Sequence, residues 1–245
     1  MTTLTLPTLV PSHMKRHVVP LHNGDRLTQD EFHRRYQSSP EKVKAELIEG
    51  TVYMASPVGL RHGDLHFSFS ALLGAYQAAS FGTRGSDNAT IVLGAQSEPQ
   101  PDLHLRLTPE CGGRSREQRG VLHGPPELVI EIAHSSRAVD LHGKRRDYQR
   151  AGVLEYLVLL VEEQQLQTFD FSTQLQPRAH AGGIYRSTAF PGLWIHTAAV
   201  LSGDLPRAMR TLNKGIQSPD HAAFVKRLKR AGRQANAGTI RAARK

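Results

Sequence analysis

A single cysteine, Cys111, stands in the 245-residue chain, so no internal disulfide braces it and no cysteine pair holds a metal. Tryptophan occurs once, and no apolar run approaches the roughly 20 residues that a membrane-spanning helix needs. These absences predict a soluble protein, without a membrane partner and with the cytoplasm as its default location. The opening segment MTTLTLPTLVPSHMKR lacks the long apolar core of a secretion signal and is not read as one. Missing motifs narrow the chemistry further. There is no G-x-S-x-G, no G-x-x-x-x-G-K-[ST] and no H-E-x-x-H, so serine-hydrolase, nucleotide-hydrolase and zinc-peptidase readings have no motif support.

Acidic residues are nearly absent from the C-terminal end. Residues 205–245 hold 11 Lys or Arg and one acid, Asp220, which leaves 20 of the 31 basic and 21 of the 22 acidic residues in the first 204 positions. The net charge of +9 therefore belongs to the last 41 residues, and the body is neutral. Within that end, Ser218-Pro219-Asp220 reads as a helix start, followed by Phe224, Val225 and Leu228 among Lys226, Arg227, Lys229 and Arg230. A basic segment of this kind binds a polyanion through counterion release, without sequence preference. The bland alternative is a solubilising tail.

The pattern along the chain divides it into a loose leader over residues 1–25, a domain over 26–203 and a basic helical or disordered tail over 204–245, without which the core should still fold. Thr28-Gln29-Asp30-Glu31 fits a capping box at the start of a helix that runs to about Gln37. Two short strands follow around Gly50. Leu65, Phe69, Leu72, Leu73 and Tyr76 recur at helical spacing between Arg61 and about Ser80. Three strand signals come next: Ala89 to Leu93, the strictly alternating Pro101 to Leu107, and Leu128-Val129-Ile130-Glu131-Ile132-Ala133. A polar helix from about Ser136 to Ala151 precedes a further apolar strand, Glu155 to Val161. Such mixing predicts an α/β sheet with helices packed on it.

Glu131 is the only polar residue of a strand that is apolar on both faces, and a buried carboxylate needs a compensating partner. If the alternating strand lies alongside, Asp102 converges with Glu131, and two hard oxygen donors suit Mg²⁺ or Mn²⁺. An ion pair between Glu131 and an arginine of the next helix explains the pattern equally well. Asp140, Lys144 and Tyr148 share one stripe of that helix, which would bring an ammonium beside the carboxylates. His62 and His66 have the i, i+4 spacing of a zinc pair but no third ligand in motif, so His62 reads better as an accessory residue of the cleft.

In this order, Glu46-Leu-Ile-Glu-Gly, Ser56-Pro57 with Arg61-His62, Pro101-Asp102-Leu103, Glu127-Leu-Val-Ile-Glu131-Ile, Asp140-Leu-x-x-Lys144-x-x-x-Tyr148 and Ala151-Gly-Val-x-Glu155-Tyr156 resemble the Uma-type (Uma-two) endonuclease-like family of the PD-(D/E)XK restriction-endonuclease-like superfamily. The resemblance covers roughly Thr28 to Phe171. It implies an α-β-β-β-α-β core with a mixed central sheet, Asp102 and Glu131 as metal ligands, Glu46 as an additional acid and Lys144 as the catalytic lysine. The usual lysine position, two residues after the strand carboxylate, holds Ala133. The chain also departs from the family at Ala133-His134-Ser135, where a Leu-Ser-Pro run is typical, and at Leu159-Leu160, where an Asp is common. The resemblance further implies Mg²⁺- or Mn²⁺-dependent cleavage of nucleic acid, DNA above all, by a chain that pairs as a homodimer. The alternative is a non-cleaving nucleic-acid-binding protein that keeps the fold.

Overall fold

The computed structural model describes residues 18–41, 43–173 and 180–242. The leader expected over residues 1–25 lies outside them as far as residue 17; beyond it Leu21 is buried and the Gly24 amide donates to the Val52 carbonyl. Helix α1 (Gln29–Gln37) starts where the capping box predicts, with the Thr28 hydroxyl accepting from the Glu31 amide at 3.4 Å. The reciprocal half of the box is not made. Glu31 binds Arg34 and Arg35 instead, because guanidinium groups three and four residues on offer charged donors on the same helix face. Strands β1 (Ala45–Ile48) and β2 (Thr51–Met54) form a hairpin whose two-residue turn, Glu49-Gly50, has both φ angles positive.

Helix α2 (Leu60–Ala79) buries the five apolar residues that its spacing marks. It leads to β3 (Thr83–Asp87), β4 (Ile91–Val92), β5 (Leu103–Leu107), β6 (Arg116–Gln118), β7 (Val121–His123) and β8 (Leu128–Ala133). A π-helical turn, Val139–Lys144, then runs into α3 (Arg145–Ala151), which stops at Gly152 with φ 92°. After it come β9 (Glu155–Leu160) and β10 (Gln165–Asp170), the hairpin β11 (Ile184–Arg186) and β12 (Trp194–His196), and helices α4 (Thr197–Leu201), α5 (Leu205–Ile216) and α6 (Pro219–Ala242).

The central sheet has the order β10-β9-β8-β5-β3, with β8 and β9 parallel and the other neighbours antiparallel. Every residue of β8 and β9 is buried, as apolar runs on both faces require. The sequence α2-β3-β5-β8-α3-β9 is the expected α-β-β-β-α-β core. One of its strands is not the expected one. Thr83-Arg84-Gly85-Ser86-Asp87 fills the edge, where only one side is paired and no apolar alternation is needed. The apolar Ala89–Leu93 stretch yields only β4, which joins β7 and β6 in a separate small sheet.

Leucines 103 and 105 of β5, with Ile130 and Leu157, meet α2 on one face of the sheet. Val129, Tyr156 and Val158 meet Tyr148 of α3 on the other. The C-terminal segment corrects its description as a tail. Leu212, Phe224 and Leu228 belong to the first of these clusters, and His221 bonds the Ser80 hydroxyl at 2.9 Å under cover. In α6 the buried residues recur at helical spacing, so the same helix that carries the cations also has a core stripe. Among the described residues, no helix is long and apolar enough to cross a membrane.

Candidate active site

Pairing of Leu103 with Ile130 sets Asp102, the residue before β5, against Glu131 in β8. The Asp102 amide lies 3.4 Å from Glu131 Oε2, and Asp102 Oδ2 accepts from the Ile132 amide at 2.7 Å. The two carboxylates thus converge through backbone geometry, on the face opposite the leucines. The partner of Glu131 is not an arginine. Lys144 Nζ donates to Glu131 Oε1 at 3.0 Å, and the Tyr148 hydroxyl donates to the same oxygen at 2.7 Å. The π turn directs Asp140 and Lys144 inward, with Tyr148 one turn further on, and all three are buried.

Glu46 arrives from β1, with Oε2 2.9 Å from Lys144 Nζ and Oε1 accepting the Gln100 amide at 2.6 Å. Its hairpin is fastened to α3 at the turn. The Glu49 amide donates to the buried Asp147 at 2.8 Å, and the Glu49 carboxylate pairs with Arg146 and Arg150. Asp140 completes the group, 3.6 Å from Lys144 Nζ and bonded to the Ser136 hydroxyl at 2.6 Å. Sequence reasoning places Asp140 only on the lysine's stripe; that three acids, Glu46, Glu131 and Asp140, share one lysine emerges from the hairpin's position.

The histidines of α2 do not form a zinc pair. His62 Nε2 lies 3.2 Å from Asp102 Oδ1, while His66 Nε2 donates to the Asp102 backbone carbonyl at 3.0 Å, so the two grip the same residue at different oxygens. Their rings stack at 6.2 Å, and His66 is a contact that no motif announces.

Environment sorts the charges. Burial pushes Glu131 well above the usual carboxylate range, against the pull of Lys144. Burial raises Asp140 in the same way. Burial opposes charge on Lys144, but Glu131, Glu46 and Asp140 outweigh it and hold the ammonium protonated. For Asp102, burial is outweighed by His62, the Ile132 amide and Lys144, which keep it ionised; its bond to His62 raises the imidazole in turn.

Among the described residues, no three His, Cys, Asp or Glu side chains already surround a point where a metal ion would sit. The reason is visible: the Lys144 ammonium occupies the place where Glu46, Glu131 and Asp140 meet. The donor chemistry nevertheless fits a divalent cation. Four carboxylates face one ammonium and one imidazole, so the oxygen donors outnumber the cations, and among the described residues Asp140 Oδ1 has no hydrogen-bond donor. The cluster borders a cleft of about 270 Å³, lined by Glu46, His62, Asp102, Glu131 and Lys144 together with Ser135. Lys226, Arg227, Lys229 and Arg230 lie apart from it on the exposed side of α6.

Behind the site, His104 of β5 is buried with no hydrogen-bond partner at either ring nitrogen among the described residues. Burial pushes its pKa down to about 4. The unfolded chain therefore takes up a proton near pH 6.5 that the folded chain refuses until about pH 4, and stability falls as pH drops through that window. The loss amounts to about 3 kcal/mol at most. Between pH 6.5 and about 4, His104→Leu should lose less stability in denaturant titrations than wild type does. Parallel pH profiles would show that His104 is not the group responsible.

The α-β-β-β-α-β core with its mixed sheet is that of restriction-endonuclease-like proteins. Within that class the chain belongs to the Uma2 family, described as "Putative restriction endonuclease", whose model matches residues 29–200. Among solved structures it is similar to "a putative nuclease belonging to DUF820" from Anabaena variabilis, at 14% identity and a TM-score of 0.56, over 72% of this chain and 98% of that one. That likeness is one of fold. No curated protein matches the chain.

Proposed function

We propose that this chain is a divalent-metal-dependent endonuclease that hydrolyses phosphodiester bonds of nucleic acid, with DNA as its substrate. The observation that carries the reading is the convergence of Asp102, Glu131, Glu46 and Lys144 on one cleft in a chain of the Uma2 family. Asp102 and Glu131 are the groups that would hold Mg²⁺ or Mn²⁺, and Glu46 adds charge from the hairpin. When bound, such an ion neutralises charge on the phosphate and makes water a better nucleophile. Lys144, kept charged by its three carboxylates, supplies a cation to orient the attacking water or to stabilise charge on the phosphate oxygens. Tyr148 and His62 fix the orientations of Glu131 and Asp102. A cytoplasmic homodimer, offering one cleft to each strand of a duplex, completes the proposal.

One observation favours the alternative of a non-cleaving binder: Lys144 sits where the carboxylates meet, so they do not enclose an open metal position. Incubation of the protein with plasmid, single-stranded DNA and RNA in Mg²⁺ or Mn²⁺, with chelator controls, separates the two. The nuclease reading expects cleavage that Asp102→Asn abolishes. Cutting by Asp102→Asn at the wild-type rate would defeat the assignment of Asp102, and binding without cutting in either metal would favour the binder.

A further inference from the structure

Helices α5 and α6 lie beyond residues 29–200, the part of the chain that the family model covers, and they hold the molecule's unbalanced charge. On α6, Lys226, Arg227, Lys229, Arg230 and Arg233 stand among the helix's solvent-facing positions. On α5, Arg207, Arg210 and Lys214 do the same. None of these cations joins an ion pair among the described residues. Their helices are fixed rather than free. Leu212, Phe224 and Leu228 are core residues, Cys111 Sγ lies 3.5 Å from the Leu228 carbonyl, and Gly232 packs close to Phe81.

We infer that the outer face of α5 and α6 is a docking surface for the phosphate backbone of nucleic acid, separate from the cleft. The inference shares with the proposed function only the choice of nucleic acid as the polyanion. Charge and spacing carry it. From Lys226 to Arg233 the helix rises roughly 11 Å. Over that length a duplex carries about six phosphates. The five α6 cations thus approach the charge that the two strands of a duplex together carry over that length, and no acid intervenes between them. A lipid surface is the poorer fit, because helices that lie on membranes expose large apolar side chains beside their cations. Among the described residues, none of the exposed large apolar side chains is on α5 or α6.

Position adds a consequence. The turn Pro109–Cys111, against which α6 packs, follows β5, whereas Asp102 precedes it. The strand between them spans roughly 17 Å. A ligand held on α6 therefore has to extend by at least about five base steps to reach the cleft. The surface reads no base edges, so it adds affinity and salt dependence rather than sequence preference.

Anisotropy of a labelled duplex, measured in chelator so that no metal-dependent cleavage occurs, tests this surface with the full-length protein. The variant is K226Q/K229Q/R230Q/R233Q, which spares Arg227 because its guanidinium lies over the Phe224 ring. Between about 50 and about 200 mM salt, the slope of log K against log salt should become shallower by about 0.9 for each phosphate that the variant no longer neutralises, up to about 3 to 4 in all. Circular dichroism and thermal unfolding should stay at wild-type values. Superimposable salt plots for wild type and the quadruple variant would overturn the inference and leave a solubilising face. So would binding to phosphatidylserine vesicles with none to the duplex. Cleavage plays no part in this readout, so an inactive cleft with intact binding would overturn the nuclease reading alone.

Discussion

Replacing Lys144 by methionine is expected to remove cleavage and to destabilise the fold by roughly 3–5 kcal/mol at neutral pH. The methionine fills most of the volume of the lysine stem, so the loss is electrostatic. Glu131 and Asp140 remain buried, Glu46 beside them, with no shared cation. Removing one partner of a buried ion pair costs far more than the pair itself contributes, because the remaining charge is stranded. The pH dependence distinguishes this cause from a packing defect. Burial raises Glu131 and Asp140 above their unfolded values, so their protonated forms favour the folded state. That contribution is present at low pH and fades as pH rises through the folded values, so the variant's deficit should be smaller near pH 5 than near pH 8. Denaturant titrations of both proteins at several pH values read it. A deficit that is the same at every pH would point to packing, and wild-type cleavage by the variant would remove the lysine from the chemistry.

A chain ending at Gly203 is expected not to fold. The sequence suggests that the core survives this cut, since the segment beyond it reads as a basic appendage. In the structure the cut removes Leu212, Phe224 and Leu228 from the main core cluster and uncovers Tyr76 and Phe190, which pack against α6 through His221 and Phe224. Each large apolar side chain contributes roughly 1.5–3 kcal/mol by its burial. Three of them approach the whole stability of an ordinary domain, about 5–15 kcal/mol. The truncated protein should be insoluble or unfold without a cooperative transition. Cooperative melting at the wild-type temperature would show that α5 and α6 are dispensable after all. This outcome is also why the charge-neutralising variant, rather than truncation, is the right probe of the basic face.

Both cases mark the boundary of what the sequence conveys. Strong local patterns transfer directly into structure: the five apolar positions of α2, the apolar run of β8 and the strict alternation of β5 depend on periodicity alone. The edge strand β3 does not transfer, since a strand paired on one side requires neither apolar residues nor alternation. Asp102, Glu131 and Lys144 are legible as a candidate group through the ordered set of motifs that resembles the Uma-type family, since the strand pattern alone leaves an ion pair as good an explanation. The rest of the site is non-local. Asp140 is a site residue only because the π turn directs it inward, and His66 only because α2 crosses the start of β5. The basic segment misleads in another way. Its cations dominate the composition, while a few apolar residues at helical spacing fix its place in the core.

The central claim is that Asp102 and Glu131 together hold a divalent cation at this cleft, and calorimetric titration with Mn²⁺ tests it most directly. Wild type should give a saturable isotherm, and Asp102→Ala, shown to be folded by its thermal transition, should give none. An unchanged isotherm in Asp102→Ala would contradict the claim and leave the four carboxylates as an ion-pair network organised around Lys144 and His62.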